Sequence, residues 1–589
     1  MLTRKKYKAC SPEQTVSTVQ SILAKLNIET EIEFFSNTGH DYSCRLRISN
    51  KGLKELDIGV NGKGMSKIFA LASAYGELME RLQNKALCRE NVIYATRNFV
   101  ENANLQEISK HQINSYLAFQ YFPDESNKII SFSQLFDYII PTFFPTHAQN
   151  INKEVLRKEN KIACIFAPFV DLETKTCVDI PVEWFRAMCS STGLCAGNTK
   201  EEALVQGINE ICERYVLMKL FLKEYILPTI PMETFKGHNI YNRIADLKKD
   251  YKVIIKDCSL DLGIPVIGLL LIKQNEGSYS FRLGADFNII TALERCYTES
   301  FQGKNASEHI FNVFNIEKPS MLSQYQKALK NGTGTFPHCV LYDNKSESKF
   351  PHIDFSTYEE ELNYYISLFS KLNTSIYVKD NSFLGFPAYS IYIPGFSTVD
   401  DPLFNLAETI RKKNREHFVV SPLLDIAKAI KLMPQEIIDV LPGNTIYIEL
   451  QKWNTSKTSR VATAIIGMYA YVALGHYKEA HQLLKQFIDY LYTKNLRVST
   501  TLLCTYNILV SIDRKKSFEV LRLIYGNDMI NNVVKQINEI SLFFQKQKFP
   551  HCFLCDKCDI KDSCHYHDII LFEHSLQSIQ NEYKGYVKP

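Results

Sequence analysis

The sequence predicts an α+β protein that continues into an all-α, TPR-like helical domain and a short Cys-rich tail. Glycine-rich turns lead into helices three times in the first half of the chain, and segments of alternating polarity, typical of strands, lie among them. Long segments with apolar residues at helical spacing follow, and four cysteines are crowded together near the end. We therefore predict domains over residues 1–400, 405–547 and 548–589.

The length and composition of the chain indicate which classes of protein it can belong to. The chain has 589 residues, which is too many for a single hydrophobic core. It is 45% apolar and 22% charged with a formal net charge of +4, so the charge balance does not argue for direct binding to nucleic acid or to a membrane. No apolar run reaches 18 residues, and no apolar segment follows the basic N-terminal residues. We expect a cytoplasmic protein whose scattered cysteines are reduced thiols.

The N-terminal region is predicted to begin with a helix over residues 12–26, in which the apolar residues share one side. Thr15 lies in this helix and Lys8 lies just before it, and by themselves both are typical of a protein surface. Residues 28–36 and 42–49 alternate in polarity and are joined by turn-forming residues, which predicts a pair of strands.

The first glycine-rich turn is expected at residues 61–64. It leads into a helix that carries Glu77, Glu80 and Arg81 at i, i+3 and i+4. Small residues earlier in this helix indicate that another element packs closely against it. The alternative for the charged residues is a surface ion pair, which is common and stabilises little.

The central segment, residues 189–216, is expected to carry the chemistry. Gly193 and Gly197 leave backbone amides unobstructed, and Asn198 and Thr199 can cap the helix that follows. A glycine-rich loop that leads into a helix N-terminus is a ready site for a phosphate.

The helix that follows has a polar face with unusually many carboxylates. At about 100° per residue, a third of its circumference contains Asn198, Glu202, Gln206, Glu210 and Glu213. Like charges one turn apart, such as Glu210 and Glu213, cost about 0.2–0.5 kcal/mol per pair. A divalent metal with a nucleotide would neutralise them. The alternative is a solvated helix face, but the opposite face is apolar and two similar helices occur elsewhere.

The third turn and helix follow two predicted strands, residues 251–259 and 264–272. This helix carries Arg295 and Glu299 at i and i+4. Arginine suits phosphate oxygens and glutamate suits magnesium. Three such units within the first half of the chain therefore predict a chamber for a nucleotide and Mg²⁺.

The helical region contains one segment, residues 470–491, that is similar to a tetratricopeptide repeat. Leu474, Gly475, Tyr477 and Ala480 occupy the expected small and large positions. A single repeat is compatible with a repeat array and equally with generic helical hairpins.

The Cys-rich tail has a C-x2-C-x2-C-x5-C pattern formed by Cys552, Cys555, Cys558 and Cys564, with histidines at 551, 565 and 567. Thiolates this dense in a reducing compartment predict a bound metal, and Zn²⁺ and an iron–sulfur cluster are both open. Unbound thiols are the alternative.

The three turn-and-helix segments resemble the YcaO family. The matching motifs are ALASAYGELMERL at 70–82, AGNTKEEALVQGINEICERYV at 196–216 and ALERCYTESFQG at 292–303, and IPGFS at 393–397 is similar to a late Pro-Gly element. The resemblance covers residues 1 to about 400. It implies a YcaO-type domain in which ATP and Mg²⁺ lie among glutamates of several helices, and an activity that phosphorylates a peptide backbone amide oxygen.

Matched position by position, the resemblance implies a set of site residues. It assigns Mg²⁺ and nucleotide-site carboxylates to Glu77, Glu80, Glu202, Glu210 and Glu213, and phosphate-side contacts to Asn198, Gln206, Arg214 and Arg295. It also places Arg81, Glu299, Lys8 and Thr15 at the nucleotide site. Glu210, Glu213 and Arg214 are the residues expected to be catalytic. Cys195 stands where the family often has serine, and a thiol donates a weaker hydrogen bond than a hydroxyl.

The resemblance also implies alternative functions. The helical tail and the clustered cysteines favour the accessory factors that promote β-methylthiolation of an aspartate in ribosomal protein S12, alongside a radical-SAM methylthiotransferase. The alternative is a cyclodehydratase or thioamide-forming enzyme that acts on a ribosomally made precursor peptide. Such cyclodehydratases tend to end in a Pro-rich tail, whereas this sequence ends in GYVKP. A non-catalytic scaffold is a third hypothesis. The expected partner is thus a peptide or ribosomal protein substrate, and a homodimer is left open.

Overall fold

The protein is represented by a computed structural model. It describes residues 9–37, 41–51, 53–54, 58–88, 122–131, 133–145, 161–189, 191–300, 312–313, 321–344, 347–348, 353–399, 468–469, 471–472, 475–493, 498–546 and 565–585. The chain divides into two compact units. The larger unit comprises residues 1–87, 122–415 and 576–589, and the helical unit comprises residues 88–121 and 416–575.

The larger unit combines helices with strands. Its described α-helices are α1 (Pro12–Lys25), α2 (Lys67–Gln83), α3 (Ile140–Phe143), which continues a π-helical segment (Gln134–Ile139), α4 (Val182–Cys189), α5 (Lys200–Leu222), α6 (Asn239–Leu247), α7 (Ile289–Ser300), α8 (Met321–Asn331) and α9 (Tyr358–Lys371). Its described strands are β1 (Thr30–Asn37), β2 (Asp41–Ile48), β3 (Gly59–Gly64), β4 (Ser126–Ser131), β5 (Lys161–Asp171), β6 (Cys177–Pro181), β7 (Leu194–Ala196), β8 (Lys252–Asp257), β9 (Val266–Lys273), β10 (Ser278–Ala285), β11 (Asn312–Val313), β12 (Tyr377–Asp380) and β13 (Ala388–Tyr392).

These strands form three sheets with antiparallel pairing. Their orders are β1-β2-β3, then β4-β5-β12-β13-β7 with β6 also paired to β5, and β11-β10-β9-β8. Helices and antiparallel sheets in one unit confirm the predicted α+β class.

The N-terminal elements form where the sequence predicts them. Ser11 caps α1 in a capping box with Gln14, and Pro12 occupies the first turn, where a proline is tolerated. The apolar side of the helix is buried through Val19 and Leu23. The predicted strand pair is β1 and β2, which pair along their full length.

The expected turn at residues 61–64 is wrong, because these residues belong to β3, which pairs with β2. Its glycines are needed for close packing. A Cβ at Gly62 would press against the Ala70 carbonyl oxygen and lie 2.5 Å from the Ala74 amide nitrogen, and a Cβ at Gly64 would lie 2.6 Å from the Ala70 amide nitrogen. Strand β3 and helix α2 therefore approach backbone to backbone, which is the close contact that the small residues of α2 predict.

The C-terminal end of α2 is fixed to the segment between β12 and β13. The fully buried side chain of Gln83 donates a 2.7 Å hydrogen bond to the Phe386 carbonyl oxygen and accepts one of 2.8 Å from the Leu384 amide. The amide of Asn381 donates to the side-chain oxygen of Asn84 at 2.8 Å. Two residues at one end of the helix are thus held by a hairpin that is distant in sequence.

Helix α5 lies in the main core of the larger unit. Thr199 caps it by accepting a 3.2 Å hydrogen bond from the Glu202 amide. Part of the loop predicted before it, Leu194–Ala196, is strand β7, which pairs with β13. The apolar face of α5 is fully buried in a core that includes residues of β9, β10, β13, α8 and α9; it is formed by Ala203, Leu204, Gly207, Ile208 and Ile211. The predicted cap and the anchored apolar face are both present.

The helical unit, as far as it is described, consists of helices packed on a core of its own. They are α10 (Tyr477–Thr493), α11 (Thr500–Asp513), α12 (Glu519–Tyr525) and α13 (Asn527–Lys546). Helix α14 (His565–Glu582) begins in the segment of the helical unit and ends in the segment of the larger unit. A TPR arrangement stays a prediction. The cysteine pattern at 552–564 lies outside the described residues, so the predicted Zn²⁺ or iron–sulfur site also stays a prediction.

Two further observations apply to the described stretches alone. None of their helices combines the length and the hydropathy that a membrane crossing requires. The cysteines whose side chains are described there are free thiols.

We expect Gly62→Ala to lower the free energy of unfolding of the larger unit by about 1–3 kcal/mol, because the backbone of α2 cannot yield space for a Cβ. Gly76→Ala is the matched control. A Cβ there meets nothing within 4 Å, and alanine favours a helix interior. Urea unfolding of both variants measures the difference, and equal stabilities would contradict the close-packing interpretation.

Candidate functional site

Charged side chains from four elements of the larger unit meet in one place, which we call the charged cluster. Helix α2 contributes Glu77, Glu80 and Arg81, α5 contributes Glu210, Glu213 and Arg214, α7 contributes Arg295 and Glu299, and β3 contributes Lys63. The three helices are those that the sequence analysis singled out. Their polar ends therefore share one electrostatic environment.

Burial and mutual repulsion disfavour the charged carboxylates of this cluster. Burial raises the pKa of Glu77 and of Glu213, and the nearby charge of Glu210 adds to both shifts. Burial also raises the pKa of Glu80 well above its usual range, with further contributions from Glu210 and Glu77. In the absence of a bound cation, the cluster holds more negative charge than its surroundings stabilise.

Two arginines compensate part of this charge. Arg81 lies 3.6 Å from Glu77 and 3.4 Å from Glu80, measured between side-chain nitrogen and oxygen. Arg214 lies 3.4 Å from Glu210 and donates a 3.1 Å hydrogen bond to the Leu329 carbonyl oxygen. These ion pairs are longer than the roughly 2.7–2.9 Å of a tight charge-assisted hydrogen bond. The carboxylate oxygens therefore retain capacity for another cation.

Lys63 is a member of the cluster that the sequence analysis missed. Its ammonium group pairs with Glu299, and nearly a third of its side chain is exposed. Burial nevertheless lowers its pKa to about 8, against the opposing effect of Glu213 and Glu77, because the walls of the cluster displace bulk water. The sequence would have indicated Lys63 if residues 59–64 had been assigned to a strand. Successive residues of a strand face opposite sides, so Lys63 faces away from the side of Gly62 and Gly64.

The N-terminal end of α5 forms a separate polar group. The hydroxyl of Thr15 donates to the side-chain oxygen of Asn198 at 2.9 Å, and the amide of Asn198 donates to Glu202 at 3.0 Å. Thr15 and Glu202 are buried, so the expectation of a surface position for Thr15 is wrong. Glu202 lies about 12 Å along the helix from Glu210. The acidic face thus consists of two groups, and Glu202 orients Asn198.

Helix α7 faces the cluster with Arg295 and Glu299. Arg295 lies 3.9 Å from Asp286, a buried residue just before the helix that also accepts a 2.9 Å hydrogen bond from the Asn288 amide. This contact orients the guanidinium of Arg295. The remaining N–H groups of the guanidinium can donate hydrogen bonds to an anion.

The remaining predicted residues are placed differently. Gln206 is exposed on α5. Cys195 is buried beneath α5, where Gly207 leaves room for it, and its thiol donates to the Tyr389 carbonyl oxygen at 3.7 Å. Burial raises the pKa of Cys195 well above its usual range, and Glu80 and Glu210 add to the shift. Its contact with a nucleotide stays a prediction. Lys8 lies outside the described residues.

The carboxylate oxygens of the charged cluster are of the type that Mg²⁺ prefers as ligands. Within the stretches that the structure describes, no three His, Cys, Asp or Glu side chains are grouped closely enough to hold a metal by themselves. Mg²⁺ commonly takes one or two protein carboxylates and completes its shell with water and phosphate oxygens. The carboxylates with raised pKa satisfy that requirement, and a nucleotide would supply the remaining ligands.

A family model matches the part of the chain that contains the charged cluster. The model described as YcaO cyclodehydratase, ATP- and Mg²⁺-binding, matches residues 61–397, which is more than half of the chain. The match includes Lys63 and every member of the charged cluster.

Two curated relatives are similar over more than half of the chain. An uncharacterised protein of Haemophilus influenzae is 31% identical over 350 residues, and the ribosomal protein S12 methylthiotransferase accessory factor YcaO of Escherichia coli is 28% identical over 352 residues. Each alignment covers 58% of this chain and 57% of the relative. The chain thus matches little more than half the length of these relatives.

Two solved structures are similar in part. A heterocyclase in complex with substrate and cofactor is 17% identical with a TM-score of 0.45, covering 67% of this chain and 53% of that chain. YcaO from Methanopyrus kandleri bound with AMPPCP and Mg²⁺ is 16% identical with a TM-score of 0.39, covering 67% of this chain and 94% of that chain. TM-scores this low carry no argument about the site. The family model, by contrast, matches most of the larger unit, and the chain therefore belongs to the YcaO family.

Proposed function

We propose that this chain binds ATP with Mg²⁺ in the charged cluster and activates a peptide amide. The observation that carries the proposal is the set of carboxylates from α2 and α5 whose pKa values are raised by burial and mutual repulsion. A divalent cation relieves that repulsion, and a polyphosphate balances the arginines and the lysine beside it. The family model, described as ATP- and Mg²⁺-binding, supports the same ligand.

The residues divide into metal-binding and phosphate-binding groups. Glu77, Glu80, Glu210 and Glu213 would hold Mg²⁺. Arg295, oriented by Asp286, would contact phosphate oxygens, and Arg214, anchored to Glu210, would neutralise charge that develops during transfer. Asn198, oriented by Thr15 and Glu202, would contact the nucleotide at the other end of α5.

Activation of an amide needs a leaving group, because an amide carbonyl is a poor electrophile. Bound Mg-ATP would supply a phosphoryl group to the amide oxygen with ADP as the leaving group, and a nucleophile would then add at the amide carbon as phosphate leaves. Glu210 and Arg214 would hold the transferring region in place.

For the biological role, we favour an accessory factor in the β-methylthiolation of ribosomal protein S12, working with a radical-SAM methylthiotransferase. The Escherichia coli relative named for that role supports it. The alternative is ATP-dependent formation of azolines or thioamides on a ribosomally made peptide, which the cyclodehydratase name of the family model supports.

We expect Glu80→Gln to raise the melting temperature of the nucleotide-free protein by about 2–4 °C, because a raised carboxylate pKa means that the charged form costs stability at neutral pH. The same variant should lose most of the stabilisation that Mg-ATP gives to the wild type. Thermal unfolding with and without Mg-ATP measures both effects. Glu359→Gln, an exposed change in the first turn of α9, is the control. A Glu80→Gln protein that melts lower and still responds to Mg-ATP would contradict the assigned site.

We expect cells of the native host that lack this gene to contain ribosomal protein S12 without its methylthio group. Intact-protein mass spectrometry measures the missing mass. Complementation with Glu210→Ala should fail, because the metal and Arg214 lose a shared carboxylate, whereas Glu359→Ala should restore the mass. Unchanged S12 in the deletion strain would redirect the search to modified small peptides, and full activity of Glu210→Ala would favour the scaffold hypothesis.

A further inference from the structure

We propose that Lys63 contacts the terminal phosphate of the bound nucleotide and is the residue by which the site distinguishes a triphosphate from a diphosphate. The assignment rests on the proposed binding of Mg-ATP. It concerns a side chain of β3 that no sequence motif of the three helices includes.

The position of Lys63 carries the first step. Charged groups from three helices surround Lys63. Helix α2 contributes Glu77, α5 contributes Glu210 and Glu213, and α7 contributes Arg295. Helix α7 also contributes Glu299, the ion-pair partner of Lys63. Lys63 thus lies beside charged residues of all three helices, and about 31% of its side chain is exposed.

The orientation that the bound nucleotide would take follows from two polar groups of α5, one around Asn198 and one containing Glu210 and Glu213. The Asn198 group lies at the helix N-terminus, whereas Glu210 and Glu213 lie about 18 to 22 Å along the axis from Asn198. Glu210 and Glu213 would hold Mg²⁺, which binds phosphate oxygens, so the phosphate end of the nucleotide would lie beside them. Lys63 has Glu210 and Glu213 among its charged neighbours and therefore lies at this end of the site.

The charge balance of Lys63 favours an anionic ligand. Arg295 is near enough to repel Lys63, and an anionic ligand between the two cations would relieve that repulsion. The ion-pair partner of Lys63, Glu299, is more than a third exposed, and an ion pair with that exposure stabilises little. Lys63 can therefore exchange Glu299 for a phosphate oxygen at small cost, and we assign that oxygen to the terminal phosphate.

The test compares three nucleotides on three proteins. Isothermal titration calorimetry measures the affinities of the β,γ-methylene analogue of ATP, of ADP and of AMP, each with Mg²⁺, for the full-length wild type, Lys63→Met and Lys67→Met. Lys67 is the matched control, because it is exposed in the first turn of α2 and faces the Phe34 ring, 5.9 Å away. Lys63→Gln replaces the Met variant if melting shows that the latter is unfolded.

Lys63→Met should weaken binding of the triphosphate analogue by roughly 10- to 100-fold, the loss expected for one charge-assisted hydrogen bond, with ADP and AMP changed by less than about 3-fold. Lys67→Met should bind all three as the wild type does. Equal weakening of all three nucleotides, or no weakening, would overturn the assignment while leaving nucleotide binding intact. A wild type that binds none of them would overturn the proposed function together with it.

Discussion

The placement of several carboxylates between α2 and α5, where burial disfavours their charged forms, is the constraint on which the rest of the larger unit depends. The pKa values of Glu77, Glu80 and Glu213 are raised because folding brings these groups together without full compensation. Such an arrangement persists only when the elements that carry it are held by contacts elsewhere. The apolar face of α5 in the main core and the hydrogen bonds of Gln83 at the end of α2 supply those contacts.

Close approach of backbones gives the site its dimensions. Gly62 and Gly64 bring β3 against α2, and Gly207 brings α5 against β7 with Cys195 beneath it. A side chain larger than hydrogen at any of these positions would separate elements that carry charged groups. Since electrostatic interaction weakens with distance, the cluster depends on residues that have no functional group of their own.

Local signals in the sequence predicted the elements, and long-range contacts decided what the sequence could not predict. Helix α1 was predicted from the periodicity of its apolar residues, and the acidic face of α5 from helical spacing. The turn at residues 61–64 was predicted wrongly because glycine serves close packing as well as turning. The Thr15–Asn198 hydrogen bond joins residues 183 positions apart, and no local pattern indicates it. Lys63 was missed because a single lysine in the sequence does not indicate a site; its role depends on the charged residues that three helices place around it.

The link between Gln83 and Phe386 also has a consequence for the order of folding. The two residues are 303 positions apart. At roughly 5–20 residues per second, about 15–60 s of synthesis separate them. During that interval α2 lacks the hairpin that fixes its end, while its apolar residues are already available for contact. Every member of the charged cluster, from Lys63 to Glu299, is therefore synthesised before the hairpin that supports α2. A chain truncated before the hairpin would lack the hydrogen bonds that hold this end of α2 for as long as it exists.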